Sequence, residues 1–497
     1  MPDFLKAIWI ALPAAAVLIL IVYCVMLTRS MRIRKSRSMW MPALSLDTER
    51  SKRAAEVLSS VVRMKTVSHA DPSENEVAEW AKLRDQLRKS FPRVHKTLAR
   101  EIISDFSLLY IWKADNPEGD PVLLCGHLDV APAEGEWEHP PFAGVIDDGY
   151  VWGRGTLDCK NNVVAILEAV ETLLARGARP SRDVYLAFSH DHESGAIGSA
   201  AISRRFAEDA LTFSLALDEG GWLTRGTLPI RTPVAQVGIA EKGRMLVKLS
   251  AAESGGHASS PPAHSAIGLL AEAIARMEYK PRKARLTPTV TAQLQSVCPD
   301  LPFKWRFALV NMPFTSKKVI KLCSADDKLG ALVRTTVAVT QVSGGSALNV
   351  LPQTAEAWLD VRLLHGDDGG DMLRYIEDMV SDLGITAEQI DYEPPSPVSE
   401  YRNERFALIK SCIQDVFGKV RVVPSLVTSS KSVRQYERFC ANVYRFSPFS
   451  LTPLDQNRIH GVDEGVRVDS LGLAVSFYRE LLLKSSVSAR EDETAGS

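Results

Sequence analysis

Four short apolar runs along the chain stop abruptly at polar or glycine-rich sequence: "PVLLCGHLD", "DVYLAFSHDHE", "FSLALDEGG" and, much later, "NVYRFSPF". Runs of this length with such ends predict strands buried on both faces. Between the first two, "NNVVAILEAVETLLARG" carries apolar residues at helical spacing, with Gly177 as a stop signal. Helical periodicity also marks "TERSKRAAEVLSSVVRM", the stretch from Glu76 to Phe91, and a closing segment from about Val466 to Leu483. Strands alternating with helices predict an α/β fold, a mostly parallel mixed sheet with helices on both faces.

This pattern is interrupted. "MLVKLSAAES", "VAVTQVSGG" and "AEAWLDVRLL" alternate with helical stretches near 264–277 and 369–383, which predicts an inserted two-layer α+β domain over 241–395. The main domain then falls into two parts, 49–240 and 396–486, and the acidic end 487–497 reads as a disordered tail. At the other end, Ala7 to Leu27 is uncharged and long enough to cross a bilayer as a helix. Basic residues follow it where a signal peptide would show small ones, so residues 1–28 are expected to be an uncleaved transmembrane anchor, with 29–48 a basic linker. Arg29, Arg32, Arg34, Lys35 and Arg37 on one side against Lys6 on the other would hold the following domain in the cytoplasm.

Composition narrows the function classes. A hydrophobic content of 45% over 497 residues supports a sizeable core, and a formal charge of -1 gives no reason to expect a nucleic-acid partner. The 7 cysteines contain no Cys-x-x-Cys pair, so neither a disulfide framework nor a thiolate zinc site is indicated.

Ligands of an open parallel sheet collect beyond the carboxyl ends of its strands. There the chain repeatedly places metal-type side chains: His127 and Asp129, Asp158 before a helix, His192 and Glu193, Asp218 and Glu219, and far downstream His460. Each alone reads as an ordinary polar residue. Two imidazoles and three carboxylates drawn from this set suit two borderline divalent cations bridged by one carboxylate, an arrangement that activates water for hydrolysis. Asp129, two residues beyond His127, can accept that ring's other N–H and fix its tautomer.

In order along the chain, "GHLDV", "WGRGTLDCK", "HDHES", "LDEGG", "GGHASSPP", "NVLP", "DVR" and "RIHGV" resemble the motifs of the co-catalytic zinc peptidases that include aminoacylase and glutamate carboxypeptidase. The likeness runs over roughly residues 50–485 and is greatest to the carboxypeptidase S branch, whose relatives also hydrolyse and form N-acyl amino acids. It implies two zinc ions, or other divalent metals, with His127, Asp158 and Asp218 on one side of the pair, Glu193 and His460 on the other, and Asp158 bridging. It further implies that the inserted domain is a lid and dimerisation module whose His257 reaches a neighbouring active site, so a homodimer is expected. Asn349 and Arg362 match an asparagine and an arginine of the family, one of which would meet a substrate carboxylate. Arg362 fits a structural ion pair on a strand equally well. The substrate expected is a peptide or an N-acyl amino acid, cut next to its carboxyl-terminal residue.

Two departures stand out. The gap-free alignment of "DHESGAIGSA" puts His192 where the family carries its glutamate general base. An imidazole transfers protons near neutral pH, but two adjacent cations disfavour imidazolium and would draw in its nitrogen as a ligand. Further on, "SSKSVRQY" puts Ser432 at an expected aspartate position. The expectation is therefore a membrane-anchored dizinc amidohydrolase of impaired or altered activity, with a non-catalytic metal-binding relative that acts as a ligand-binding or scaffold protein as the alternative.

Overall fold

The structure, a computed structural model, describes residues 3–33, 47–225, 230, 232–429 and 432–488. Arg34, Lys35 and Arg37, most of the expected linker and all but the first two residues of the expected tail lie outside the described residues. The chain divides into two compact units, one formed by Ser38–Glu241 with Ser396–Ser497, the other by Lys242–Pro395 with Met1–Arg37.

The larger unit is built on an eight-stranded sheet. Its strands run in the order Ala99–Ile103, Ser107–Trp112, Val184–Ser189, Val122–His127, Leu215–Thr224, Val443–Leu451, Val234–Glu241 and Arg421–Val427. The four central strands are mutually parallel, and antiparallel pairings flank them, so the sheet is mixed. The period of two sorts side chains onto opposite faces. Val122 and Leu124 join Val184, Leu186 and Phe188 in one apolar core, while Leu123 and Cys125 join Tyr185 and Ala187 in another. The first core is capped by the helices Thr48–Val62, Lys160–Ala175 and Val468–Ser485. The second is closed by Ile197–Glu208 and the 3₁₀ segment Ser432–Phe439. Because both faces are covered, the central strands are apolar without alternation, which is why they were readable.

The smaller unit contains a four-stranded antiparallel sheet in the order Thr336–Gly344, Thr354–Leu363, Gly243–Ala252, Thr386–Glu393. Met245, Val247, Leu249 and Ala251 alternate inward, against the helices Ala266–Tyr279 and Gly369–Val380. Five further helical segments between Pro288 and Val333 belong to this unit and were not expected from sequence. The amino-terminal helix spans Asp3–Arg32, and its stretch Leu12–Arg32 is long and apolar enough to cross a membrane.

Candidate metal centre

Four of the five residues expected as ligands, His127, Asp158, Glu193 and His460, meet beyond the carboxyl ends of the parallel strands. His127 ends its strand in register with Ser189, so the turn that follows Ser189 carries His192 and Glu193 to the same edge. Asp158 lies in a glycine-rich turn ahead of the helix Lys160–Ala175, with a cis peptide joining it to Cys159. Gly155 in that turn has a φ of 88°, and a Cβ there would sit 2.5 Å from Val130, so both conformation and space call for glycine. His460 follows the short helix Pro453–Arg458, which is started by a capping box between Thr452 and Asp455.

Two clusters of ligand atoms share one carboxylate. On one side the His127 Nε2 lies 3.0 Å from Asp158 Oδ1 and 3.7 Å from Glu219 Oε1. On the other, the His460 Nε2 lies 3.3 Å from Asp158 Oδ2 and 3.0 Å from Glu193 Oε1. The second carboxylate of the first cluster belongs to Glu219, not to the expected Asp218, which lies in neither cluster. Asp218 is buried and accepts from the backbone N–H groups of Glu219 and Val433. Adjacent strand residues face opposite ways, so only one member of the Asp-Glu pair can face the cluster.

The fit to cations rests on this donor set. Three carboxylates crowded into a largely buried space repel one another unless positive charge lies between them. Hydrogen bonds from its ring to the carboxylates of Asp158 and Glu193 push the His460 pKa up to about 10. Burial opposes protonation of His127, yet Cys159, Asp129 and Asp158 outweigh it and hold that pKa well above the ordinary value.

Asp129 lies behind His127. Its Oδ1 is 3.1 Å from the ring Nδ1, its backbone carbonyl is 3.0 Å from the same nitrogen, and Ser68 and the Glu193 amide donate to its Oδ2. Burial works against its ionisation, but His127, His192 and the Glu193 amide bring the pKa down to about 2. His192 stacks on His127 with ring centroids 4.5 Å apart. Its Nδ1 lies 3.0 Å from Ser432 Oγ, which is 3.0 Å from Ser189 Oγ, and its Nε2 is 3.9 Å from Glu219 Oε1.

A buried pair organises the turn and was missed in the sequence. Glu464 Oε1 accepts from the amides of Gly155, Leu157 and Asp158, and its Oε2 accepts from Arg154 at 2.8 Å. Arg154 also donates to the His460 carbonyl, so the pair ties the Asp158 turn to the His460 loop. Arg154 stands inside the quoted motif "WGRGTLDCK" and Glu464 two residues beyond "RIHGV", but nothing local marks them as partners.

Three expected site residues belong to the smaller unit. His257 is exposed and bonds Ser259 through Nδ1 at 2.8 Å. Asn349 is exposed, and its carbonyl accepts from the Ala258 amide. Arg362 grips Asp360 with two hydrogen bonds, the strand ion pair that the sequence left open.

The fold and site define a metal-dependent hydrolase of the peptidase type. The family model Peptidase family M20/M25/M40 matches residues 123–484, and the chain belongs to this family of metallopeptidases and amidohydrolases. It is 36% identical over 437 residues to a probable carboxypeptidase S-like protein of Dictyostelium discoideum, covering 86% of this chain and 84% of that one. It is 32% identical over 467 residues to an N-fatty-acyl-amino acid synthase/hydrolase of Bos taurus, covering 92% of each. An M20 family metallo-carboxypeptidase from Sulfolobus solfataricus shares the fold with a TM-score of 0.63 at 17% identity, over 87% of this chain and 98% of that one.

Proposed function

We propose that the chain is a membrane-anchored dimetal amidohydrolase that cleaves the amide bond next to a carboxyl-terminal amino acid, in a peptide or an N-acyl amino acid. The observation that carries this reading is the Asp158 carboxylate, which turns one oxygen to His127 and the other to His460. His127, Asp158 and Glu219 would hold one divalent cation and Asp158, Glu193 and His460 the other, with zinc the metal expected for such nitrogen and oxygen donors. When bound, such a pair supplies Lewis acidity to an amide carbonyl and acidifies water.

The chain's own residues do the rest. Asp129 keeps the His127 ring turned so that Nε2 faces the cluster. Glu464 and Arg154 hold the Asp158 turn against the His460 loop. His192 stands where the family resemblance places a carboxylate base, and its Nε2 is the atom that would take up and return a proton. Held by Ser432 and stacked on His127, the ring has less reach than a glutamate, so turnover is expected to be slow or altered. His257 of a second subunit would polarise the scissile carbonyl, and Asn349 or Arg362 would meet the substrate carboxylate. The anchor reading is supported by the apolar helix Leu12–Arg32, and the basic residues after it orient the domain to the cytoplasm.

Hydrolysis of a panel of N-acyl amino acids and dipeptides by zinc-loaded wild type and His192→Glu tests the proposal. Activity in wild type supports it. A silent wild type that His192→Glu awakens favours a non-catalytic metal-binding protein, and silence in both variants overturns the hydrolase reading. Protease accessibility in sealed vesicles tests the orientation, which fails if the domain is cut only from the opposite face.

A further inference from the structure

The amino-terminal helix does not leave its unit as a bare span. Its last turns pack against the helix Phe303–Val310 of the smaller unit and against Asn311, which joins that helix to the next one, Met312–Cys323. Tyr23 packs against Phe307 with ring centroids 6.0 Å apart. The buried Asn311 side chain donates to the Met26 carbonyl at 3.3 Å and to Ser30 Oγ at 3.2 Å, and Arg306 donates to the Ile33 carbonyl at 3.3 Å.

These contacts fix the depth of Phe303–Val310 and of the start of Met312–Cys323. A bilayer core takes about 20 residues of helix, so a span that starts near Ala7 ends near Leu27, and Met26 to Ile33 lie among the headgroups. Phe307, packed on Tyr23, then stands at the boundary between hydrocarbon and headgroups. The exposed chemistry matches that level. On the helix Met312–Cys323, Phe314, Lys317, Lys318 and Lys321 follow the i, i+3, i+4, i+7 spacing of one helical face, and all four are exposed. The opposite face buries Val319 and Cys323. Phe314 is 75% exposed and Phe303, on the neighbouring helix, 42%. Arg29 and Arg32 add exposed positive charge at the end of the span, while Asp326 and Asp327 begin only beyond Cys323.

We infer that the basic aromatic face of Met312–Cys323, with Phe303 beside it, lies on the surface of the bilayer that the amino-terminal helix spans and binds anionic lipid headgroups there. The apolar rings enter the boundary layer and the lysines reach phosphate and carboxylate groups. This inference rests on the anchor reading above. It adds a second membrane contact that would set how the smaller unit stands on the membrane.

The test uses the full chain in vesicles of phosphatidylcholine alone or mixed with phosphatidylserine. An environment-sensitive fluorophore is placed at Phe314→Cys in a Cys24→Ser background, since Cys24 is the exposed cysteine and the other six are buried. A second label at Leu348→Cys, a fully exposed loop position, serves as control. Alkaline carbonate extraction reports the anchor separately. The expected result is a carbonate-resistant chain whose label at 314, but not at 348, is quenched by brominated lipids. The quenching should be stronger with phosphatidylserine and fall at least about threefold on reversing Lys317, Lys318 and Lys321 to glutamate. A resistant chain with no lipid quenching at 314 overturns the inference and leaves the anchor standing. Shielding of 314 from aqueous iodide without lipid quenching means that protein covers the face, and also overturns it. Release by carbonate removes the anchor reading and the inference together.

Discussion

The innermost candidate residues of the larger unit and the candidates of the smaller unit live in opposite surroundings, with the half-exposed His460 at the rim of the first group. In the larger unit His127, Asp129 and Asp158 are buried, hydrogen-bonded to one another and held from behind by Glu464 and Arg154. In the smaller unit His257 and Asn349 are exposed, and Arg362 is committed to Asp360. The contrast teaches that the first group is organised by its own fold, with the cost of gathering carboxylates already met in folding. The second group would acquire the proposed chemistry only from something added, whether substrate or second subunit. Substitutions in the first group should therefore alter metal content, stability and turnover together, and those in the second should alter turnover alone.

The largest effect is expected at the shared carboxylate. Asp158→Asn should cut bound metal from two equivalents to one or fewer and lower hydrolysis at least about a thousandfold, because both proposed cations depend on this carboxylate. Elemental analysis beside the substrate panel measures both, and a variant that keeps two metals would erase the proposed difference between the units. Next comes the buried pair. Glu464→Ala strands the Arg154 guanidinium in the interior, and removing one partner of a buried pair costs about 3–5 kcal/mol. Thermal unfolding of the metal-free chain should show a loss of that order, whereas a change under about 0.5 kcal/mol would deny the pair its organising role.

A finer contrast separates neighbours. Glu219→Gln should lose one metal while keeping the fold. Asp218→Asn should keep both metals and lose about 1–3 kcal/mol of stability, since its carboxylate serves backbone amides. The reverse pattern in metal titrations would restore Asp218 as the ligand. In the smaller unit, His257→Ala should leave metal content unchanged and stability within about 0.5 kcal/mol, as for an exposed residue. A loss of metal on this substitution would break the contrast.

The smallest effect is a pH dependence. His460, with a pKa raised to about 10 in the metal-free chain, adds stability below about pH 6.5 that fades as pH rises through 10. The His460 side chain is 49% exposed, so solvent screens most of this contribution, and metal-free thermal stability should decline only slightly between pH 7 and 10. Metal affinity should move the other way, rising with pH and releasing protons in calorimetry across buffers of different ionisation enthalpy.

Legibility in the sequence follows from range. His127, Glu193 and His460 were readable because each ends a local pattern, an apolar strand or a short motif, and the central parallel strands were readable because they are apolar on both faces. The choice between Asp218 and Glu219 was not, since the sequence shows an adjacent pair and only the packing of the strand decides which one faces the cluster. Arg154 and Glu464 were hidden for another reason, because 310 residues separate them and neither sits in a periodic run. The edge strand Ala99–Ile103 has a largely exposed pattern with little apolar signal. The helices between Pro288 and Val333 are short and interrupted by prolines, which blurs helical periodicity.

The shared Asp158 carboxylate can be seen directly by anomalous diffraction from zinc-loaded crystals, collected on both sides of the metal edge. Two peaks are expected roughly 3.5–4 Å apart, with Asp158 reaching both at about 2.0–2.2 Å, His127 and Glu219 on one, and Glu193 and His460 on the other. A single peak, or two peaks with Asp158 bound to only one of them, would contradict the proposed centre.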